Sequence, residues 1–132
     1  MPIAALFAGV LALVYVVLTL RVIGIRRGER ISLGDGGNAE LLRRIRAHAN
    51  FAEYVPIGLL LLALAESLAA PMPLLLAIGG LFAIGRMIHG VALSANHNPM
   101  LLRPIGMHLT LWTLLALAGT CLWFAIARVL GY

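Results

Sequence analysis

Residues 2–20 read PIAALFAGVLALVYVVLTL, without one charged side chain. A helix needs about 20 mostly apolar residues to cross the hydrocarbon of a bilayer, so this run predicts a membrane span. At the other end of the chain, residues 104–127 read PIGMHLTLWTLLALAGTCLWFAIA and are equally free of Asp, Glu, Lys and Arg. Between them, Tyr54 to Ala65 is uncharged between Glu53 and Glu66, and Ser67 to Gly85 is uncharged before Arg86. These middle runs reach the length of a span only by drawing Glu53, and then Arg86 with His89, into the membrane. Those charges require a reason.

Composition excludes the soluble alternative. Of 132 residues, 62% are hydrophobic and 11% charged, and the mean hydropathy is +1.01. Soluble domains carry about a quarter charged residues, and a chain this short cannot hide so much apolar surface from water. The first run has no basic start and is too long for the apolar stretch of a leader, so it is expected to persist as a helix.

Punctuation between the runs sets the organisation. Gly34, Asp35, Gly36 and Gly37 mark a loop, Pro71 and Pro73 a tight turn, and Asn96, His97, Asn98 and Pro99 a break before Pro104 opens the last helix. The reading is all-α, one domain over 1–132, with helices over about 3–25, 40–70, 74–93 and 104–130. Four spans joined by short connections predict a left-handed antiparallel up-down transmembrane bundle. Arg26, Arg27, Arg30, Arg43, Arg44 and Arg46 surround the first connection and Arg103 follows the third, whereas the second has no basic residue. Because basic connections stay in the cytoplasm, both termini are expected outside, periplasmic in a bacterial inner membrane, with Arg128 against the trend. The net charge of +5 then reflects topology and anionic headgroups, and nucleic acid is not an expected partner.

All basic residues are arginine. A GC-rich genome explains that bias better than chemistry does, so each arginine has to be weighed by position. With alternating helix directions, Arg21, then Arg46, Asn50 and Glu53, then Arg86 and His89, then Arg103 and His108 fall in one layer near the cytoplasmic side. Arg46, Asn50 and Glu53 stand at i, i+4 and i+7, on one face of helix two, and Arg86 and His89 share a face of helix three. An ion in hydrocarbon costs several kcal/mol unless paired or wetted, so the two stripes should face each other, with Glu53 paired to Arg86 or Arg46. A structural salt bridge would need only one such pair. The surplus of cationic donors beside a carboxylate points to an anionic ligand, and an amino group on that ligand would suit Glu53.

The stretch Arg46-Ala-His48-Ala-Asn50-Phe-Ala-Glu53-Tyr54-Val-Pro56 resembles the second-helix signature of the MAPEG family, membrane-associated proteins in eicosanoid and glutathione metabolism. Gly34-Asp35-Gly36-Gly37, Gly85-Arg86-Met87-Ile88-His89 and the four-helix length resemble its small bacterial branch. The resemblance implies a homotrimer in the lipid bilayer, with sites between subunits that open toward the cytoplasm and take glutathione as cosubstrate. It implies that Arg46, Asn50, Glu53 and Tyr54 hold glutathione, with Arg86 and His89 on the facing helix and Arg26 added to the binding set. It also implies that Arg103, at the start of helix four, stabilises the thiolate as the catalytic residue. The thiolate would attack a lipophilic small-molecule electrophile, giving a glutathione-dependent transferase or peroxidase.

One departure keeps a second reading open. Val91, Leu93 and Met107 stand where several enzymes of the family carry tyrosines, and some members are noncatalytic binding or structural proteins. A third outline, the small multidrug exporter with one intramembrane Glu, fits poorly because the arginines beside Glu53 would repel cationic drugs and hold the carboxylate ionised. Cys121, alone in helix four, reads as a small buried hydrophobe. His97 and His108 lack metal-ligand spacing, so no metal is expected. Trp112 and Trp123 read as packing or interfacial residues.

Overall fold

A computed structural model describes residues 1–94 and 101–131. Among these the chain is entirely helical: α1 spans Pro2–Gly28, α2 Ala39–Ser67, α3 Met72–Ser94 and α4 Leu102–Val129. Each is long and apolar enough to cross a membrane. At 1.5 Å per residue, the 27 residues of α1 extend about 40 Å, which covers hydrocarbon and part of one headgroup region. The expected break at Asn96, His97, Asn98 and Pro99 lies outside the described residues.

The helix ends have local causes. α1 runs past Ile25 and carries Arg26 and Arg27 on its last turn, where cations complement the negative end of the helix dipole. The following turn needs left-handed backbone at Gly34, Gly36 and Gly37. A Cβ on Gly36 would also lie 2.9 Å from the end of the Ile31 side chain, which would have to shift, so the backbone conformation is the main demand for glycine there. Asn38 then caps α2, its Oδ1 accepting from the Leu41 amide at 2.9 Å. α2 ends at Ser67, short of the expected 70, because Ala69 turns left-handed with φ of 65° to swing the chain toward Pro71. Pro56 sits inside α2 and cannot donate to the Ala52 carbonyl, which loosens the ladder one residue from Glu53.

Packing is uneven around the bundle. α2 and α3 occupy the centre, α1 packs on α2 and α3, and α4 packs on α3 and α2. One apolar core joins Ile3, Leu62, Ala65, Leu75, Ile78 and Leu117 near the start of α1. A second joins Leu11, Leu18, Phe51, Val55, Phe82 and Ala83 along the middle. Three glycines allow the closest approaches. A Cβ on Gly58 would meet the Phe82 ring at 2.2 Å, and one on Gly79 the Phe7 ring at 2.5 Å. At the α3/α4 crossing a Cβ on Gly106 would lie 2.7 Å from the His89 amide nitrogen and 2.9 Å from the Gly85 carbonyl oxygen. Small residues let membrane helices touch backbone to backbone, which lipid itself does not drive.

Glu66 ties the start of α1 to the end of α2. Its two carboxylate oxygens accept from the Ile3 amide at 3.0 Å and the Ala4 amide at 2.8 Å. Those amides belong to the first turn, which has no intrahelical acceptors. A carboxylate at that end also meets the positive pole of the dipole. Glu66 thus serves as a cap supplied from another helix.

Candidate functional site

The polar centre of the molecule is Arg86. It is the largest fully buried side chain, with 0% exposure, in the middle of an apolar helix. Its burial is possible because two neighbouring helices, α2 and α4, supply partners. Nη2 donates to Asn50 Oδ1 of α2 at 2.7 Å, and Nη1 donates to Thr110 Oγ1 of α4 at 3.3 Å. The guanidinium carbon lies 5.2 Å from the Tyr54 ring centroid and 5.8 Å from that of Phe51, so two aromatic rings flank the cation, while its buried Nε has no hydrogen-bond partner among the described residues. Thr110 Oγ1 passes its own proton to the Gly106 carbonyl at 2.7 Å, which orients its lone pairs toward Arg86. The narrow Gly85/Gly106 crossing brings that hydroxyl within reach.

The expected pairing of Glu53 with Arg86 or Arg46 is absent among the described residues, where the ion pair found joins Arg44 to Glu40 on one face of α2. The stripe on α2 is broader than one contact surface. Asn50 turns inward to Arg86 and is half-buried, while Arg46 and Glu53 are exposed on the outside of the single chain. Tyr54 is half-buried beside Arg86. The structure therefore brings together Asn50, Tyr54 and Arg86, and leaves Arg46 and Glu53 looking away from the bundle.

His89 is buried one turn beyond Arg86, and its Nδ1 lies 3.1 Å from the carbonyl oxygen of Arg103. The ring nitrogen donates there, since a carbonyl only accepts. This contact fixes the start of α4 against α3, while the Arg103 side chain itself is exposed. Arg26 is half-buried at the end of α1 and donates to the Ile31 carbonyl at 3.5 Å, a contact that closes its own turn. His48 stacks against Tyr15, ring centroids 4.7 Å apart. Cys121 donates to the Leu61 carbonyl at 3.2 Å.

Two participants escaped the sequence reading. Thr110 has no charge and no motif, and its only signal was a hydroxyl four residues after Gly106 in a span. Phe51 carries no polar atom to single it out, although it lies within the Arg46-to-Glu53 signature and faces a cation.

The arrangement can hold an anion beside a carboxylate. Because the Asn50 oxygen is engaged by Arg86, its amide NH₂ is the end left to donate. Exposed Arg46 offers a bidentate fork and exposed Glu53 an acceptor for a cation.

Residues 4–123 match the MAPEG family. The inner membrane protein YecN of Escherichia coli K12 is 31% identical over 122 residues, 92% of this chain and 92% of that protein. YecN of Escherichia coli O6:H1 matches to the same extent. The family match covers all four helices except their outermost residues, and the chain is a member of the MAPEG family.

Proposed function

We propose that this protein is a multi-pass inner-membrane enzyme, a glutathione-dependent transferase or peroxidase acting on lipophilic electrophiles. The observation that carries the reading is the split stripe on α2: Asn50 is held by a buried cation, while Arg46 and Glu53 stand exposed in a membrane-spanning helix. Charges bare to hydrocarbon cost several kcal/mol each. A neighbouring subunit and a bound zwitterion would cover both. The assembly is a trimer of antiparallel up-down bundles, and the meeting of Glu66 and Ile3 supports opposed directions of α1 and α2. The basic first connection supports cytoplasmic placement of the polar layer.

Glutathione carries two carboxylates, an ammonium and a thiol. The donor set fits those charges. Glu53 takes the ammonium, Arg46 and the Asn50 amide take carboxylate, and the Tyr54 edge closes the pocket. Arg86 is fully buried, so it acts from behind Asn50 as a positioning residue and supplies positive potential. His89 acts at one remove in the same way, through the Arg103 backbone. Arg103, exposed at the start of α4, provides the cation that lowers the pKa of the thiol. The thiol proton passes to water, and the thiolate forms the new sulfur bond to an electrophile arriving from the lipid side as the electrophile's leaving group departs with its bonding pair. Chemistry then relies on thiolate formation and positioning, and no protein thiol takes part.

The test is a titration of the detergent-purified protein with glutathione, following heat and thiolate absorbance together. Heat with thiolate absorbance that disappears in Arg103→Ala is the expected result. Binding without thiolate would favour a noncatalytic member of the family, a reading that Val91, Leu93 and Met107 favour. No binding would refute the proposal.

A further inference from the structure

Because α1 packs on α2 and α3 but not on α4, part of its surface has no partner within the chain. On that surface an apolar groove of about 290 Å³ runs between α1 and α3, lined by Leu13, Val17, Met87, Gly90 and Val91, with Arg21 among its walls. The groove is open: Leu13 is 71% and Val91 58% exposed. From Leu13 to Arg21 it follows about 12 Å of helix, at 1.5 Å per residue. Arg21 also lines an adjoining hollow of about 420 Å³ together with Arg44. Arg44 is engaged by Glu40, whereas Arg21 is exposed and has no hydrogen bond or ion pair among the described residues.

We infer that this groove is a binding site for an anionic phospholipid, whose acyl chain lies along Leu13, Val17 and Val91 and whose phosphate is held by Arg21. An apolar channel ending in one open cation suits a phospholipid of net negative charge better than a zwitterionic one, whose own ammonium offsets the charge of its phosphate. The basic residues at the end of α1, Arg26 and Arg27, place that end in the headgroup region, so depth and charge agree. A two-fold contact with a second copy is a poorer occupant, because the groove contains no carboxylate and such a contact would bury Arg21 against itself without a counter-charge. The site shares no residue with Arg46, Asn50, Glu53 or Arg86 and stands independently of the glutathione reading.

The test is native mass spectrometry of the full-length protein in mild detergent, with phosphatidylglycerol and phosphatidylcholine of matched acyl chains as probes. One arginine near a headgroup contributes about fivefold in affinity, so phosphatidylglycerol should be retained about fivefold better. Arg21→Gln should erase that preference, whereas Arg27→Gln, which removes the same charge outside the groove, should change it less than twofold. Gly90→Leu should reduce retention of both lipids, because a Cβ there meets only Leu18 at 3.6 Å and the rest of the side chain fills the groove. Val17→Trp, at a half-exposed position, makes the same test if Gly90→Leu loses helicity by circular dichroism. Equal retention of the two lipids, equal losses from Arg21→Gln and Arg27→Gln, or normal retention in both groove-filling variants would each overturn the inference. So would a change in subunit number in Arg21→Gln with lipid preference intact, which would assign the face to a second copy.

Discussion

Replacing Asn50 by alanine should destabilise this protein more than any other neutral substitution around Arg86. The Asn50 oxygen receives a charge-assisted hydrogen bond at 2.7 Å from a guanidinium with 0% exposure. Its loss leaves a buried cation with one weaker hydroxyl partner at 3.3 Å and two aromatic faces. Hydrogen bonds to charged groups contribute about 1.5–3 kcal/mol. Thr110→Val preserves shape and removes only the longer bond, and interhelical hydrogen bonds in membranes average about 0.6 kcal/mol. The order should therefore be Asn50→Ala well above Thr110→Val. Reversible unfolding in mixed detergent micelles measures both. A double-mutant cycle makes the reasoning specific: with Arg86 replaced by methionine, Asn50→Ala should cost less than about 1 kcal/mol, because no buried cation is left stranded. An equal cost of Asn50→Ala with and without Arg86 would refute the claim that Asn50 acts through Arg86.

The other expectations concern packing, capping and topology. Gly106→Ala should cost about 1–3 kcal/mol in the same assay, since the added methyl meets backbone atoms of α3 that can only move by separating helices. Gly119→Ala, with nothing within 4 Å of its Cβ, should instead be neutral or stabilise by up to about 1 kcal/mol. Glu66→Ala should lower the unfolding midpoint and speed hydrogen exchange at the Ile3 and Ala4 amides, by loss of the cap on α1. A reporter that is active only in the cytoplasm, fused after Tyr132, should remain silent, and strong signal would reverse the orientation.

The four helices were legible because each is a long apolar run bounded by glycine, proline or asparagine, and hydropathy alone decides such cases. The residues of the polar layer were legible as misfits, because charge inside a span has no innocuous explanation. Their pairing was not. Arg46, Asn50 and Glu53 at i, i+4 and i+7 share a face, but that face is wide enough for Asn50 to point at α3 while Glu53 points away. Spacing along one helix cannot choose among partners on another. Charge matching favoured Glu53 for Arg86, yet the amide of Asn50 and the hydroxyl of Thr110 engage the two terminal nitrogens of the guanidinium inside one chain. Glu66 was read as the edge of a run. Its role as a cap for α1 depends on which helices adjoin, which the sequence of α2 does not carry. The Gly85/Gly106 crossing was invisible for the same reason.

The central claim, that the outward stripe of α2 holds glutathione, is tested most directly by calorimetric titration of the intact detergent-solubilised protein and its Glu53→Gln variant. Glu53 makes no ion pair among the described residues, so the substitution should leave thermal stability of the ligand-free protein unchanged. Glutathione affinity should fall about ten- to a hundredfold, the equivalent of one lost hydrogen bond to a charged group. Unchanged affinity in Glu53→Gln, with the fold intact, would contradict the account and leave the polar layer a structural device.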